Sequence, residues 1–358
     1  MKPNVANALM ASAVLCSIAS FSTAQAIEPR GEREPEVDQP SGLGFSWEGE
    51  IEIGYEDLFR SDMPGNELSN TYAIGTISLG YGFANGVEIF TTLTAESLDD
   101  PTPQDHTFQD MGLYVEELGF SFPVGRAATV TIGKLHPVFG TAWDDAAGYF
   151  GGALAEDYEL VEQIGGMADI DMGDAGTLSF ATFYADNTRL SESWGFRRPR
   201  NTTANGGAGN TGELNNFALQ WSSDIGENTF IKVGARYLSA GAGDVGDETG
   251  AVLSIGHSFQ DIPLDIFAEA AAFRNFGGTA DDARYLTLNA AYGIGDFTLS
   301  GTLSHRDLGT QGDTNLASLG LEYEFSNGYT LGGALAYIEE AGVDNHVFGV
   351  NLVIPLGG

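Results

Sequence analysis

Histidine, serine and the carboxylates build most hydrolytic and metal centres, and here they are not spaced for that work. The five histidines, His106, His136, His257, His305 and His346, are scattered, with no HExxH pair. No serine sits in a GxSxG elbow. Asp169, Asp171 and Asp174 begin like a calcium loop, but the ligand order then fails, so an acidic turn is the plainer reading. No catalytic residue, metal or cofactor is assigned, and an enzyme is not expected. The charged residues that do follow a rule recur at every second or fourth position. Glu48, Glu50 and Glu52 alternate with Trp47, Ile51 and Ile53 in "FSWEGEIEIGY". Lys232 and Arg236 oppose Ile231, Val233, Ala235 and Tyr237, while Glu322 and Glu324 oppose Leu321, Tyr323 and Phe325. Arg306 falls in the same way opposite Phe297, Leu299 and Leu303. Three glutamates on one strand face would be costly in a dry core, so the charged face needs water. Such rows do electrostatics, not bond-making.

A period of two means strands, each with one wet and one dry face. About sixteen such segments follow one another from Phe45, an even number within the range of bacterial membrane barrels. The least regular are Thr71–Phe83, where the apolar parity switches near Gly75, and Glu162–Met172. Connections alternate in kind. Tight turns stand near Ala84, Pro123, Gly173, Ile225, Gln260, Gly293 and Ser326. Longer polar stretches cover Asp57–Ser69, Asp99–Gln109, Gly140–Leu160, Asn187–Leu214 and Ala240–Asp247. Phe83, Phe120, Phe122, Phe259, Phe297, Phe325 and Tyr329 gather beside the tight turns, as an interfacial girdle would.

Composition narrows the solvent. The formal net charge of −35 excludes a nucleic-acid surface, which needs a basic footprint. With 42% hydrophobic and 11% aromatic residues the chain is not expected to be disordered. Residues 1–26 have the positive start, short apolar core and Ala24-Gln25-Ala26 cleavage site of an export signal. The sole cysteine, Cys16, lies inside it. Residues 27–44, charged and proline-rich, read as a flexible periplasmic lead-in to a barrel over 45–358. Beyond the signal no apolar run is long enough for a spanning helix. An exported chain of this kind can still cross a membrane as a closed barrel of alternating strands.

Within this pattern, "LYVEELGFSFPVGRAATVTIGKLHPVFG" (Leu113–Gly140) resembles the Gram-negative outer-membrane porin signature: an aromatic-ended strand, a short Gly turn, then a strand ending in Gly plus a base. Residues 113–164 also resemble the LbtU siderophore-porin family. The resemblance implies an all-β transmembrane antiparallel barrel of about 16 strands with short periplasmic turns and long external loops. It further implies a third loop folded into the lumen, a homotrimer, and contact with outer-membrane lipid and lipopolysaccharide.

On that footing Asp144, Asp145, Glu156, Asp157 and Glu159 become candidates for a constriction loop. The plain alternative is a surface loop, acidic because the whole chain is. Glu48, Glu50, Glu52, Lys232, Arg236, Arg306, Glu322 and Glu324 are expected to face the lumen, since a cation at the lipid midplane costs about 2–4 kcal/mol. Lys134 conflicts with itself. Alternation sets it beside Ile132 on the lipid side, whereas the resemblance implies a lumen base; a bulge at Gly133 or a snorkelling strand-end position would reconcile the two. Arg189, Arg197, Arg198 and Arg200 around Trp194 form either an anion-attracting loop lip or partners for neighbouring acidic loops. The expected function is passive diffusion of small hydrophilic solutes or ions, with a preference for cations. A substrate-selective pore for a siderophore or similar ligand is the second reading. A non-conducting adhesin or envelope anchor is the third.

Overall fold

The computed structural model describes residues 43–98 and 105–357. The expected signal and all but the last two residues of the lead-in lie outside the described residues, as does part of the second long loop. Sixteen strands form the wall. The first eight are β1 (Gly44–Ser61), β2 (Leu68–Gly82), β3 (Glu88–Ser97), β4 (Met111–Val124), β5 (Ala128–Leu135), β6 (Gln163–Asp171), β7 (Thr177–Ala185) and β8 (Asn216–Asp224). The second eight are β9 (Thr229–Leu238), β10 (Glu248–Ser258), β11 (Leu264–Arg274), β12 (Ala283–Ile294), β13 (Phe297–Asp307), β14 (Asp313–Glu324), β15 (Thr330–Glu340) and β16 (Val343–Gly357). Each pairs antiparallel with the next, and β16 pairs with β1 from Glu48↔Gly357 to Ser61↔Asn345, which closes the barrel and leaves no free edge.

Alternation is obeyed along the wall. On β1 Ile51 and Ile53 are exposed outward while Glu52, Glu56 and Leu58 are buried inward. On β9 Val233 and Tyr237 face out and Arg236 in. β1 also absorbs Asp57–Arg60, which the sequence suggested were loop, because their pairing to β2 and β16 continues to Leu58 and beyond. The aromatic girdle stands at the short-turn rim, where Phe83, Phe120, Phe259, Phe297, Phe325 and Tyr329 are all exposed.

The parity switch in β2 has a cause. Pairing with β1 runs unbroken from Leu58↔Leu68 to Gly44↔Gly82, so no bulge turns the strand over. Instead Leu68, Tyr72 and Ile74 point inward and are buried against Phe150, Leu154 and Leu316. Apolar side chains line the lumen there because something apolar fills it.

That something is the third loop. Between β5 and β6 the chain runs from 136 to 162 with only a four-residue helix, α1 (Ala142–Asp145), and one 3-10 turn (Glu156–Tyr158). Phe139, Tyr158, Leu135, Phe273 and Tyr285 form one buried cluster inside the barrel; Tyr149, Phe150, Ala153 and Leu154 join the other. Burying this apolar surface drives the loop inward, at roughly 25 cal/mol per Å² of area removed from water.

Candidate functional site

The loop is held by polar groups as well as by packing. Glu269 on β11 is the centre of that hold. Its side chain is 1% exposed, in a strand whose nearest inward residues, Phe267, Ala271 and Phe273, are apolar. Its carboxylate accepts from Thr141 N at 2.8 Å, Ala142 N at 3.1 Å and Tyr158 Oη at 2.6 Å, and from the Ser254 hydroxyl. One side chain thus holds both legs of the loop. Gln220 on β8 accepts from Gly140 N at 2.7 Å, and Asn289 on β12 bonds both the N–H and the carbonyl of Ala147. At the far end, Tyr149 donates to Glu56, a fully buried carboxylate on β1, and meets the Tyr72 hydroxyl at 2.8 Å.

Three bases complete the hold. Lys232 Nζ lies 2.8 Å from both Asp145 and the Thr141 hydroxyl. Arg236 donates to Glu248 and to the Tyr158 carbonyl, and its guanidinium stacks on Phe139 and Phe273. Arg306 joins Asp157 at 2.8 Å to Glu340 at 2.8 Å, and Tyr285 donates to the same Asp157 oxygen. Each of the three bases is engaged with an acid or a carbonyl of the barrel or the loop.

Among the expected loop acids, Asp145 and Asp157 are therefore paired with wall bases. Asp144 is exposed and Glu159 partly so, and both line the cavity described below. Glu156 is tucked beside Glu159, and burial among these carboxyls pushes its own well above the ordinary range. Burial also raises Glu159, to about 7, opposed by the neighbouring His136 and reinforced by Glu116 and Asp144.

Beneath the loop, toward the short turns, lies a cavity of about 1280 Å³ between β1 and β9. Ten carboxylate side chains line it, against one ammonium, Lys232. Glu48 is among them. Glu50 stands at the same parity, partly buried, and Glu52 accepts from Tyr72 and Asn351 higher on the wall. Glu322 is buried on the inner face of β14, whereas Glu324 reaches the rim and is exposed.

Two residues for which the sequence left alternatives open have definite surroundings. Lys134 keeps its outward parity, since pairing runs without a shift through Gly119↔Gly133 and Gly133↔Gly165. It reaches neither lipid nor lumen. It is 1% exposed, with Nζ 2.7 Å from Glu162, 3.0 Å from Asp186 and 3.1 Å from the Leu190 carbonyl, under the fourth loop. Gly133 sits at φ +148, and a Cβ there would meet the Leu118 carbonyl oxygen at 2.2 Å, so the crossing with β4 needs glycine. Arg198 takes the second of its two expected places, beside an acid. It is not on a lip: its two amino groups hold both Glu162 oxygens at 2.8 Å and it stacks over Tyr114 at 4.3 Å. Arg200 donates to the Asn187 carbonyl, and Arg197 stands exposed 3.5 Å from Glu192. Arg189 is exposed at a 3-10 turn.

The fourth loop covers this region for a structural reason. β4 pairs with β5 only from Leu118 to Val124, because the third loop leaves the wall after Leu135. The bare upper edge of β4 is taken instead by Trp194–Gly195, which pairs with Gly112 and Leu113.

Sequence reasoning missed the anchors Glu269, Gln220, Asn289 and Glu56. A lone glutamate within "LDIFAEAAAFR" was the available signal.

Comparisons with known proteins agree with this architecture. A family model described as Gram-negative porin matches residues 11–342. OprB of Pseudomonas putida, at 12% identity, superposes with a TM-score of 0.64 over 87% of this chain and 94% of its own. A mutant porin of Rhodobacter blastica, at 14% identity, gives 0.57 over 87% of this chain and 100% of its own. No curated protein sequence matches.

Proposed function

The chain belongs to the Gram-negative porin family, and from that premise we propose that its outer-membrane channel prefers cations. Passive diffusion of solutes across the outer membrane is the work of the family, and fold and family are those of a channel rather than an enzyme. The observation that supports cation preference is the lining of the cavity. Its ten carboxylates meet one ammonium, and that ammonium lies 2.8 Å from Asp145. Screening at about 0.15 M salt falls off over roughly 8 Å, so ions in a narrow passage stay within the field of its walls. Low-dielectric surroundings focus that field further. The reversal potential under a KCl gradient tests the reading: the sign for K⁺ over Cl⁻ is expected, and the opposite sign would refute it.

We propose too that residues 1–26 are removed on export and 27–44 precede the barrel in the periplasm, so that the mature chain starts at Ile27. Assembly as a homotrimer is supported by the outward face of β2 and β3. Toward the long loops Thr71, Ala73, Gly75, Thr91 and Ala95 are small or polar there, with Tyr81 and Ile89 exposed nearer the short turns, whereas β13 to β15 present Leu299, Leu303, Leu319 and Leu335 to the outside. Crosslinking in mild detergent would read out the stoichiometry.

A further inference from the structure

Beneath the fourth loop, four charged side chains gather where the third loop leaves the wall. Lys134 stands one residue before the end of β5, and Asp186 directly follows β7. Glu162 comes just ahead of β6, and Arg198 reaches it from the fourth loop. The Lys134 and Asp186 side chains are 0% and 2% exposed, so bulk water does not reach the pair.

Two cations thus meet two carboxylates, but the contacts are not alike. Lys134 Nζ is aligned as a donor on Glu162 at 2.7 Å and on the Leu190 carbonyl at 3.1 Å. It also lies 3.0 Å from Asp186 Oδ2, yet that oxygen has no hydrogen-bond partner among the described residues. The nitrogen is therefore pressed against the carboxyl group outside the directions of a good hydrogen bond. The carboxyl is held there. Its other oxygen accepts from Thr188 N at 2.8 Å, and the Asp186 N–H donates to the Glu162 carbonyl at 3.0 Å. Lys232 supplies the contrast: its Nζ makes an aligned 2.8 Å bond to Asp145, and its side chain is 20% exposed.

We propose that Lys134 and Asp186 join through an isopeptide bond, formed by the folded chain itself with Glu162 as the base. The ammonium first gives one proton to Asp186 Oδ2. The Nζ lone pair then forms a bond to Cγ, while Glu162 takes a second proton from Nζ across 2.7 Å. Glu162 returns that proton to a hydroxyl on Cγ, the C–O bond breaks with its electron pair, and water leaves. One ammonium and one carboxylate become one amide and one water. Nothing is oxidised or reduced, and no co-reactant is needed. Holding amine and carboxyl in contact replaces an encounter between separate molecules. The exchange also removes two buried charges and leaves Arg198 and Glu162, joined at 2.8 Å through both carboxylate oxygens, as a neutral pair. The root of the third loop is then tied covalently to the root of the fourth, whatever ions the channel prefers.

Trypsin reads the bond directly, because it does not cut after an acylated lysine. Between Arg126 and Arg189 the only cleavage residue is Lys134. The full-length channel, folded in detergent, then denatured and digested, is expected to give residues 127–189 as one piece lighter by one water. An ion pair without the bond gives two pieces at full mass, 127–134 and 135–189, and that result overturns the proposal. Cleavage after Lys232 in the same digest shows that the protease acted. Channel refolded from denaturant should pass from two pieces to one with time, and Glu162→Gln should slow that passage by about a hundredfold. Conversion of Glu162→Gln at the wild-type rate refutes the base. Asp186→Ala should give two pieces only; a piece lighter by one water in that variant refutes the pair. The wild-type digest alone decides the bond should either variant fail to fold.

Discussion

Two sides of the lumen use charge differently. From β9 to β13 the bases Lys232, Arg236 and Arg306 are each bonded to an acid or a carbonyl, and the third loop is the object they hold. From β3 to β7 the wall carries acids facing a cavity, and Glu88 and Asp169 each keep one oxygen that no described residue satisfies. On the first side charge fixes a structure. On the second it is left available for what passes. Counting charged residues of lumen parity would merge the two, although neutralised pairs contribute little field beyond a few ångströms.

Shortening the loop that the first side holds should have the largest effect. Deletion of Gly148–Leu154 takes out the segment packed among Leu58, Tyr72, Ile338 and Val347. Single-channel conductance should rise more than for any point variant. Unchanged conductance would mean that ions already bypass the loop.

Next comes the central anchor. Glu269→Ala leaves two backbone N–H groups and a phenol without their acceptor, each loss costing about 1–3 kcal/mol. The loop should then leave its single position, seen as raised and flickering current, with Glu269→Gln intermediate. A quiet trace at wild-type conductance would show that packing alone is sufficient.

The comparison itself is sharpened by two neutralisations. Glu159→Gln removes an acid on the open side, whereas Asp145→Asn removes one already offset by Lys232 at 2.8 Å. Both shift the reversal potential toward anions, but Asp145→Asn also releases the ammonium. The double change Asp144→Asn with Asp145→Asn should exceed either. No shift for Glu159→Gln would remove the open side from any part in selectivity.

A gentler test is pH. Burial holds the Glu159 carboxyl up at about 7, so it is neutral in acid and negative above neutrality. Cation preference should therefore strengthen as the pH climbs from about 6 to about 8, and that step should shrink in Glu159→Gln. The smallest effect belongs outside the lumen. Arg198→Lys gives up a bidentate hold on Glu162 for a point charge and should cost about 1 kcal/mol of thermal stability, with conductance unmoved.

Much of this was legible in the residues. The strand period, the alternation of tight turns and long loops, and the inward parity of Glu48 to Glu52 all follow from local sequence, since a pleated strand fixes which side each residue takes. The parity of Lys134 was legible as well. Its environment was not, because the cover comes from Asp186 and Leu190 some fifty residues later. Glu269 was hidden for a related reason. Phe267, Ala271 and Phe273 make the inner face of β11 as apolar as its outer face, and only the folded loop says why. Where a barrel strand loses its alternation, or is apolar on both sides, a covered inner wall is the physical explanation. β2 and β11 are both of this kind.

The seam at the top of β4 carries a consequence for biogenesis. The third loop leaves the wall after Leu135, and the gap behind it is covered by Trp194–Gly195 and tied shut by Arg198 and Glu162. The closing piece is thus made well after the loop that opens the gap. Because the loop's root lies beneath this latch, the seam can close only over a loop that is already inside. Once latched, the loop's root is enclosed, and its withdrawal requires the seam to be undone from outside.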